Sequence, residues 1–166
     1  MGAKYLLAEG EPVEVALAVL EHYLPRSSGD ELPVSDEGAV VALAERIELL
    51  LSIYAKGERP SGSSDPYALR RAGNGFLQIL WDKGWRLNLL LLLETSISHW
   101  EKILRECQFD QLKLTSQLAK FMHQRMFSLL EDAKIDNDLI QAVVGESIET
   151  RRLLEDPLDA RVRAEL

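Results

Sequence analysis

The stretch VVALAERIELLLSIY, residues 40–54, carries the clearest helical pattern in the sequence. Its apolar side chains recur at three- and four-residue spacing, which places them on one face of an α-helix. The members of this stripe are Val40, Leu43, Ala44, Ile47, Leu50, Leu51 and Tyr54. Ser35 or Asp36 can cap the start of the helix, and Gly57 can end it. The stretch therefore predicts one long amphipathic helix against which other elements pack.

Six further segments show helical periodicity or helix-end signals, and no run of residues alternates as a strand does. They are residues 12–24, 65–81, 89–106, 110–132, 136–144 and 146–166. The apolar stripe of the first consists of Val13, Ala16, Leu17, Leu20 and Leu24. Gly73 and Gly75 lie within the second and predict close helix packing. The last segment is charged and predicts a frayed end. We predict an all-α fold, a helical bundle.

Charge is distributed unevenly along the 166 residues, whose formal net charge is −8. Residues 1–50 carry a net charge of −7, residues 51–125 one of +4 and residues 126–166 one of −5. The acidic total argues against DNA binding and against a general nucleic-acid binder. The basic middle is where we expect an RNA contact.

Cys107 is the single cysteine, so an intrachain disulfide cannot form and a reducing, cytoplasmic location is expected. The sequence shows no secretory leader pattern. Its most apolar window, residues 87–93, is far shorter than the roughly 20 residues that span a bilayer. We therefore expect no membrane association.

An ordered series of motifs identifies a family resemblance. The motifs are EHYLPR (21–26), GD (29–30), LP (32–33), VALA (41–44), Pro60 with Gly62, and DPYALRR (65–71). They resemble the β subunit of the bacterial heterotetrameric glycyl-tRNA synthetase, with His22, Pro25, Asp65 and Pro66 as structural motif residues. Weaker similarity continues over residues 121–163. Because several motifs occur in register, the resemblance is more specific than any single short pattern.

The resemblance implies a domain organisation. Residues 1–84 would form the C-terminal part of an HD-like helical domain, and residues 85–166 a helical connecting region. A following anticodon-binding domain would be absent, so the chain resembles an internal piece of a longer subunit.

The resemblance also implies a function, which is tRNA binding and assembly within glycine–tRNA ligase. In that family the α subunit uses ATP and Mg²⁺ to make glycyl-tRNA, and an α2β2 heterotetramer is expected with tRNA-Gly as substrate. The expectation for this chain is no catalytic residue and no cofactor of its own.

Four basic residues are the candidate tRNA contacts, namely Lys56, Arg59, Arg70 and Arg71. Arginine pairs with phosphate through a planar fork of donors, which allows a grip on RNA that does not depend on base sequence. Arg70 and Arg71 diverge by about 100° around a helix axis. One of them can therefore face inward, toward loop carbonyls or toward Asp30 and Glu31, while the other faces solvent.

Two other functions stay open from the residues. The first is a remnant of an HD-type metal-dependent phosphohydrolase, since Ala44-Glu45-Arg46-Ile47-Glu48 resembles the helix that carries a metal-binding Asp in such folds. His22 and Glu45 alone do not supply the three or more protein ligands of an ordinary metal site, so no metal site is predicted. The second is a helical interaction module without RNA binding, which would act through an exposed apolar patch.

Overall fold

Helices make up the folded elements of the computed structural model, which describes residues 2–103, 109–144 and 154–165. In chain order these are α1 (Gly2–Ala8), α2 (Val13–Glu21), α3 (Asp36–Ala55), α4 (Leu69–Lys83), α5 (Leu89–Ile103), α6 (Gln111–Asp132), α7 (Asn137–Val144) and α8 (Pro157–Glu165). Within those ranges no strand forms, and a lone bridge joins Ser61 to Ser64. The all-α prediction is confirmed. In the described ranges, no helix is long and apolar enough to cross a membrane.

Helix α3 is the amphipathic helix that the opening stretch predicts. Five of the seven stripe residues are buried, namely Leu43, Ile47, Leu50, Leu51 and Tyr54. Ser35 caps the helix, because its Oγ accepts a hydrogen bond from the Gly38 N–H at 3.0 Å. The prediction was wrong for Val40 and Ala44, which are exposed. They border an open groove that no described helix fills.

Helix α4 lies at the centre of the bundle and packs against α3, α6 and α8. Phe76, Leu77 and Ile79 have no exposed surface, and the buried cluster around them extends from Ala39 to Ala164. The cluster contains residues from both sides of the domain boundary expected after Gly84.

The close packing predicted at Gly73 and Gly75 is confirmed. A Cβ at Gly73 would lie 2.9 Å from Cε1 of Phe121 and 2.9 Å from Cγ of Arg125, both on α6. A Cβ at Gly75 would lie 2.8 Å from Nε of Arg46 on α3. Two helices therefore approach the backbone of α4 where its side chains are missing.

Replacing Gly73 with alanine is expected to lower the free energy of unfolding by about 1–3 kcal/mol, because the new methyl group overpacks the contact with α6. In an open helix the same change is stabilising by up to about 1 kcal/mol. Asn74→Ala is the matched control, since it raises helix propensity on the same helix without adding an atom at this contact. Urea unfolding of both variants measures the difference. An increase in stability for Gly73→Ala would contradict the close approach of the helices.

Two expectations for the chain ends need correction. The stripe predicted for α2 is largely uncovered: Ala16 is buried, whereas Val13 and Leu20 are each 58% exposed. The reason is that, among the described residues, α2 packs mainly on α3 and on α1, a short helix that the sequence did not predict. The helix also ends at Glu21 and not at residue 24, consistent with Pro25 disfavouring helical geometry at Leu24.

The C-terminal helix α8 is packed and not frayed. Its Ala160 and Ala164 are buried, and the Pro157 carbonyl accepts a hydrogen bond at 2.9 Å from Nε1 of Trp81 on α4. The predicted helix over 146–166 lies partly outside the described residues, as does the predicted end of α5 at 106. The prediction for α6 is confirmed, with Asp110 accepting from the Lys113 N–H at 3.0 Å.

Candidate functional site

The four candidate cations lie around the segment that joins α3 to α4. Lys56 is the last residue of α3's C-terminal turn, Arg59 is in the connecting segment, and Arg70 and Arg71 are in the first turn of α4. All four residues therefore lie at or near the segment that joins the two helices, and Arg71 lines a small cavity beside Pro25 and Glu45.

Asp65 organises this segment. Its Oδ1 accepts a hydrogen bond from the Leu69 N–H at 2.8 Å and its Oδ2 accepts one from the Arg70 N–H at 3.0 Å. Asp65 thus caps α4, but the predicted segment 65–81 was wrong at its start, because Pro66 is not helical. Residues 66–68 form a turn that ends on Ala68 in the left-handed conformation, with φ of 54°, and the helix starts at Leu69.

Removing this cap is expected to destabilise the fold. Asp65→Ala should lower the free energy of unfolding by about 1–2 kcal/mol, because two N–H groups at the start of α4 lose their acceptor. Asp65→Asn retains an acceptor oxygen and should lose less. Thermal unfolding followed by circular dichroism compares the two variants. Equal losses would show that the carboxylate charge, and not the hydrogen bonds, stabilises the helix start.

Arg70 and Arg71 diverge as the helix geometry predicts. Arg70 is half-buried, and its Nη2 donates a hydrogen bond at 2.8 Å to the carbonyl of Gly62 in the connecting segment. Of the inward partners considered, the loop carbonyl is the one used, whereas Asp30 is paired with Arg26 at 2.9 Å. Arg71 is exposed. Arg70 therefore holds the segment in place, and Arg71 presents its charge to solvent.

Arg59 ties the segment to the bundle. Its Nη1 donates to the carbonyls of Tyr54, at 2.7 Å, and Glu58, and its Nη2 donates to Oε1 of Gln117 on α6. The guanidinium also lies 4.0 Å from the centre of the Tyr54 ring. Among the residues that the structure describes, its buried Nε has no hydrogen-bond partner. Most donors of Arg59 are therefore occupied inside the chain, while its charge still contributes to the local potential.

Arg125 on α6 adds a further cation to this region, because its charge interacts with that of Arg70. Its guanidinium lies 5.7 Å from the Phe121 ring centre, and its buried Nε has no hydrogen-bond partner within residues 2–103, 109–144 and 154–165. Burial lowers the pKa of Arg125 from its usual value, and the nearby charge of Arg70 lowers it further. Nothing in the local sequence around Arg125 indicates that it meets α4. The contact becomes possible because Gly73 lacks a side chain.

The charges of Arg59, Arg70 and Arg125, the arginine cluster, all act on the hydroxyl of Tyr54. Burial raises the pKa of Tyr54 to about 12, and the three arginine charges act in the opposite direction. The Asp65 carboxylate also acts on this hydroxyl, but its oxygens already accept backbone hydrogen bonds. Three guanidinium groups against the carboxylates of Asp65 and Asp132 leave an excess of positive charge in this part of an acidic chain.

The motif residues His22 and Pro25 belong to a second structural assembly, which centres on Arg46. The Arg46 guanidinium is buried and donates to the carbonyls of His22 at 3.2 Å, Leu24 at 2.7 Å and Pro25 at 3.1 Å. Burial lowers the pKa of Arg46, and the Glu45 charge acts in the opposite direction. Arg46 therefore fixes the chain between α2 and α3 against the side of α3.

The helix that resembles a metal-binding helix holds no grouped ligands. The His22 ring bonds to the Val19 carbonyl through Nδ1 at 3.0 Å, and Glu45 is exposed. Across residues 2–103, 109–144 and 154–165, no group of three or more His, Cys, Asp or Glu side chains is placed to hold a metal ion.

Comparison with known proteins gives the family. A family model described as "Glycyl-tRNA synthetase beta subunit" matches residues 1–145. The glycine–tRNA ligase beta subunit of Acaryochloris marina is 45% identical over 167 residues, covering 99% of this chain and 23% of the relative. For Synechocystis sp. the values are 39% over 175 residues, 99% and 24%, and for Streptococcus gordonii 40% over 165 residues, 94% and 23%. These similarities place the chain among aminoacyl-tRNA synthetase subunits. It belongs to the glycyl-tRNA synthetase beta subunit family.

The family resemblance seen in the sequence motifs is thereby confirmed. The chain spans about a quarter of the length of the curated relatives that it matches, 23% in the case of Acaryochloris marina.

Proposed function

We propose that this chain contributes tRNA binding and positioning to a glycine–tRNA ligase, in ATP-dependent formation of glycyl-tRNA. The observation that carries the proposal is the family match over residues 1–145 together with 45% identity to a glycine–tRNA ligase beta subunit across 99% of the chain. In this proposal the chemical step and the use of ATP and Mg²⁺ belong to the α subunit. Assembly with that subunit as an α2β2 heterotetramer is part of the same proposal.

The proposed tRNA contact is the surface between α3 and α4. Lys56 and Arg71 are exposed there, so they are the residues that would meet backbone phosphates. Arg59 and Arg70 have internal hydrogen bonds, and their role would be to hold the segment and add positive potential. Arg125 adds a further charge from α6. This division of roles supports a sequence-independent grip on RNA, because contacts to phosphates carry no base-sequence information.

A titration of the 166-residue chain with tRNA-Gly at several salt concentrations tests the proposal. Each phosphate contact releases counterions, so affinity should fall as salt rises. Lys56→Ala/Arg71→Ala should bind more weakly at low salt and should reduce the slope of log affinity against log salt by about 2. Fluorescence anisotropy of labelled tRNA measures both quantities.

The control for this titration is Lys4→Ala/Arg163→Ala, which removes two positive charges from exposed positions on α1 and α8. An equal loss of affinity in the control would mean that net charge, and not this surface, governs binding. Absence of binding by the unaltered chain at low salt would refute direct tRNA contact. Co-purification with the α subunit tests assembly separately.

A cytoplasmic location completes the proposal. It is supported by the single cysteine, Cys107, which cannot form an intrachain disulfide.

A further inference from the structure

The small cavity beside Arg71 lies where the segment between α2 and α3 meets the first turn of α4. Tyr23 and Pro25 line it from that segment, and Glu45 and Leu49 line it from α3. Its volume is about 240 Å³. This is smaller than the roughly 300–1,000 Å³ of sites that hold drug-sized ligands. The cavity therefore has room for one small planar group with apolar side chains around it.

Two opposite charges at this cavity are not paired with each other. Arg71 and Glu45 are both exposed, and in the described part of the chain neither takes part in an ion pair or a hydrogen bond. The other arginines at the cavity have partners inside the chain. Arg26 is bonded to Asp30 at 2.9 Å, and Arg46 donates to backbone carbonyls. The cavity therefore offers a ligand one cation and one carboxylate.

An exposed aromatic ring lies at the same cavity. Tyr23 is 61% exposed, and its ring centre lies 3.9 Å from that of the neighbouring His22 ring. The backbone on both sides of Tyr23 is held in place, because Arg46 donates to the carbonyls of His22 and Leu24. Unpaired RNA bases stack on exposed aromatic rings of this kind. The ring and the nearby cation together fit a nucleotide, which has a planar base and a phosphate.

The carboxylate of Glu45 indicates which base fits. A carboxylate accepts hydrogen bonds, donates none and repels phosphates, so RNA gains from it only where a base presents N–H donors. Guanine presents an imino and an amino N–H side by side on its Watson–Crick edge, which match the two oxygens of a carboxylate. Adenine and cytosine present an amino group beside a ring nitrogen that is itself an acceptor, and uracil has no amino group. Guanine is therefore the base that satisfies Glu45 best.

We propose that this cavity binds one unpaired guanine nucleotide of RNA, with its base stacked on Tyr23, its Watson–Crick edge at Glu45 and its phosphate at Arg71. The inference rests on the proposed RNA contact and adds to it a site that reads one base. Stacking and the phosphate contact give affinity for any nucleotide. The carboxylate gives the preference, because it pairs with guanine and disfavours bases that leave it unpaired.

Binding of short single-stranded RNAs to the 166-residue chain tests the inference. The probes are an oligouridine of about seven nucleotides and the same RNA with one central guanosine or adenosine. Fluorescence anisotropy at low salt gives each affinity. We expect the guanosine-containing RNA to bind about tenfold more tightly than oligouridine, since a bidentate contact to a base edge discriminates by about this factor or more. Adenosine should give a smaller gain.

Tyr23→Ala tests the stacking contact. It should weaken binding of all three RNAs by about fivefold or more, because the base loses the ring on which it stacks. Tyr23→Phe retains the ring and should bind as the unaltered chain does. Tyr5→Ala is the matched control, since Tyr5 is 65% exposed on α1 and does not line the cavity.

Glu45→Gln separates recognition of the base from net charge. Removing a negative charge should raise the affinity for oligouridine. The guanosine-containing RNA should nevertheless lose its advantage, because the amide presents one acceptor oxygen in place of two. Glu48→Gln removes the same charge from an exposed position one turn along α3, outside the cavity, and should keep the preference for guanosine.

Four results would overturn the inference. They are equal affinity for the three RNAs, a guanosine preference that survives Glu45→Gln, an equal loss of binding in Tyr5→Ala and Tyr23→Ala, and no binding of any of these RNAs. If one of them occurs while tRNA-Gly still binds, the inference fails and the proposed function stands. Absence of binding by tRNA-Gly and by all three RNAs would overturn both.

Discussion

Replacing Arg46 with alanine is expected to lower the free energy of unfolding by about 3–5 kcal/mol, the largest effect of any arginine substitution described for this chain. The guanidinium is 7% exposed and supplies hydrogens to three carbonyls of the chain between α2 and α3. Without it, those carbonyls lose their donor where little water reaches them, and α3 loses its attachment to the preceding segment. Urea unfolding followed by circular dichroism measures the loss.

Two further variants separate the causes of this loss of stability. Arg46→Lys keeps the positive charge, but its N–H donors all start from one nitrogen and do not reproduce the spread of the guanidinium fork. It should therefore not bond the carbonyls of His22, Leu24 and Pro25 together, and an intermediate loss of stability is expected. Arg71→Ala makes the same chemical change at an exposed position and should alter stability by about 0.5 kcal/mol or less. A loss below about 1 kcal/mol for Arg46→Ala would mean that water replaces the guanidinium at low cost.

Replacing Trp81 with alanine should cost about 3–5 kcal/mol, through the cavity that it leaves and the loss of a hydrogen bond. The indole is 9% exposed, donates to the Pro157 carbonyl at 2.9 Å and lies 5.3 Å from the Arg161 guanidinium. Trp81 therefore connects α4 to α8 through a hydrogen bond and a ring contact.

Trp81→Phe distinguishes packing from hydrogen bonding. It retains an aromatic ring but leaves the Pro157 carbonyl without its donor, so a loss of about 1–3 kcal/mol is expected. Chemical unfolding of both variants, with the fluorescence of the remaining tryptophans as a local probe, gives the two values. If Trp81→Phe is as stable as the unaltered chain, the contact between α4 and α8 rests on packing alone.

The helices were predictable where periodicity and end signals agree. In α3 the stripe, the Ser35 cap and the Gly57 end all point to the same element, and the structure contains it with its boundaries nearly as predicted. The stripe of α2 was predicted on periodicity alone. Periodicity identifies the apolar face of a helix but does not say whether another element of the chain covers that face. Val13 and Leu20 are exposed for this reason.

The candidate site was predictable in location but not in its internal contacts. Asp65-Pro66 and the paired arginines mark the start of α4 in the sequence, and the divergence of Arg70 and Arg71 follows from helix geometry. The bond from Arg59 to Gln117 joins residues 58 positions apart, and local patterns contain no information about such contacts. Arg46 was missed for a related reason. Between two glutamates it looks like part of a solvated face, while its carbonyl partners belong to a segment more than 20 residues earlier.

Gly73 and Gly75 of α4 affect the entropy cost of binding RNA. Rotation or sliding of α4 would require Phe121 and Arg46 to leave their places against Gly73 and Gly75. The backbone that carries Arg71 is therefore ordered before a ligand arrives. A phosphate bound there would restrict the rotamers of exposed side chains, at about 0.5–1.5 kcal/mol for each, without an additional cost for ordering the backbone. Preorganisation of this kind can give useful affinity to a surface with few positive charges.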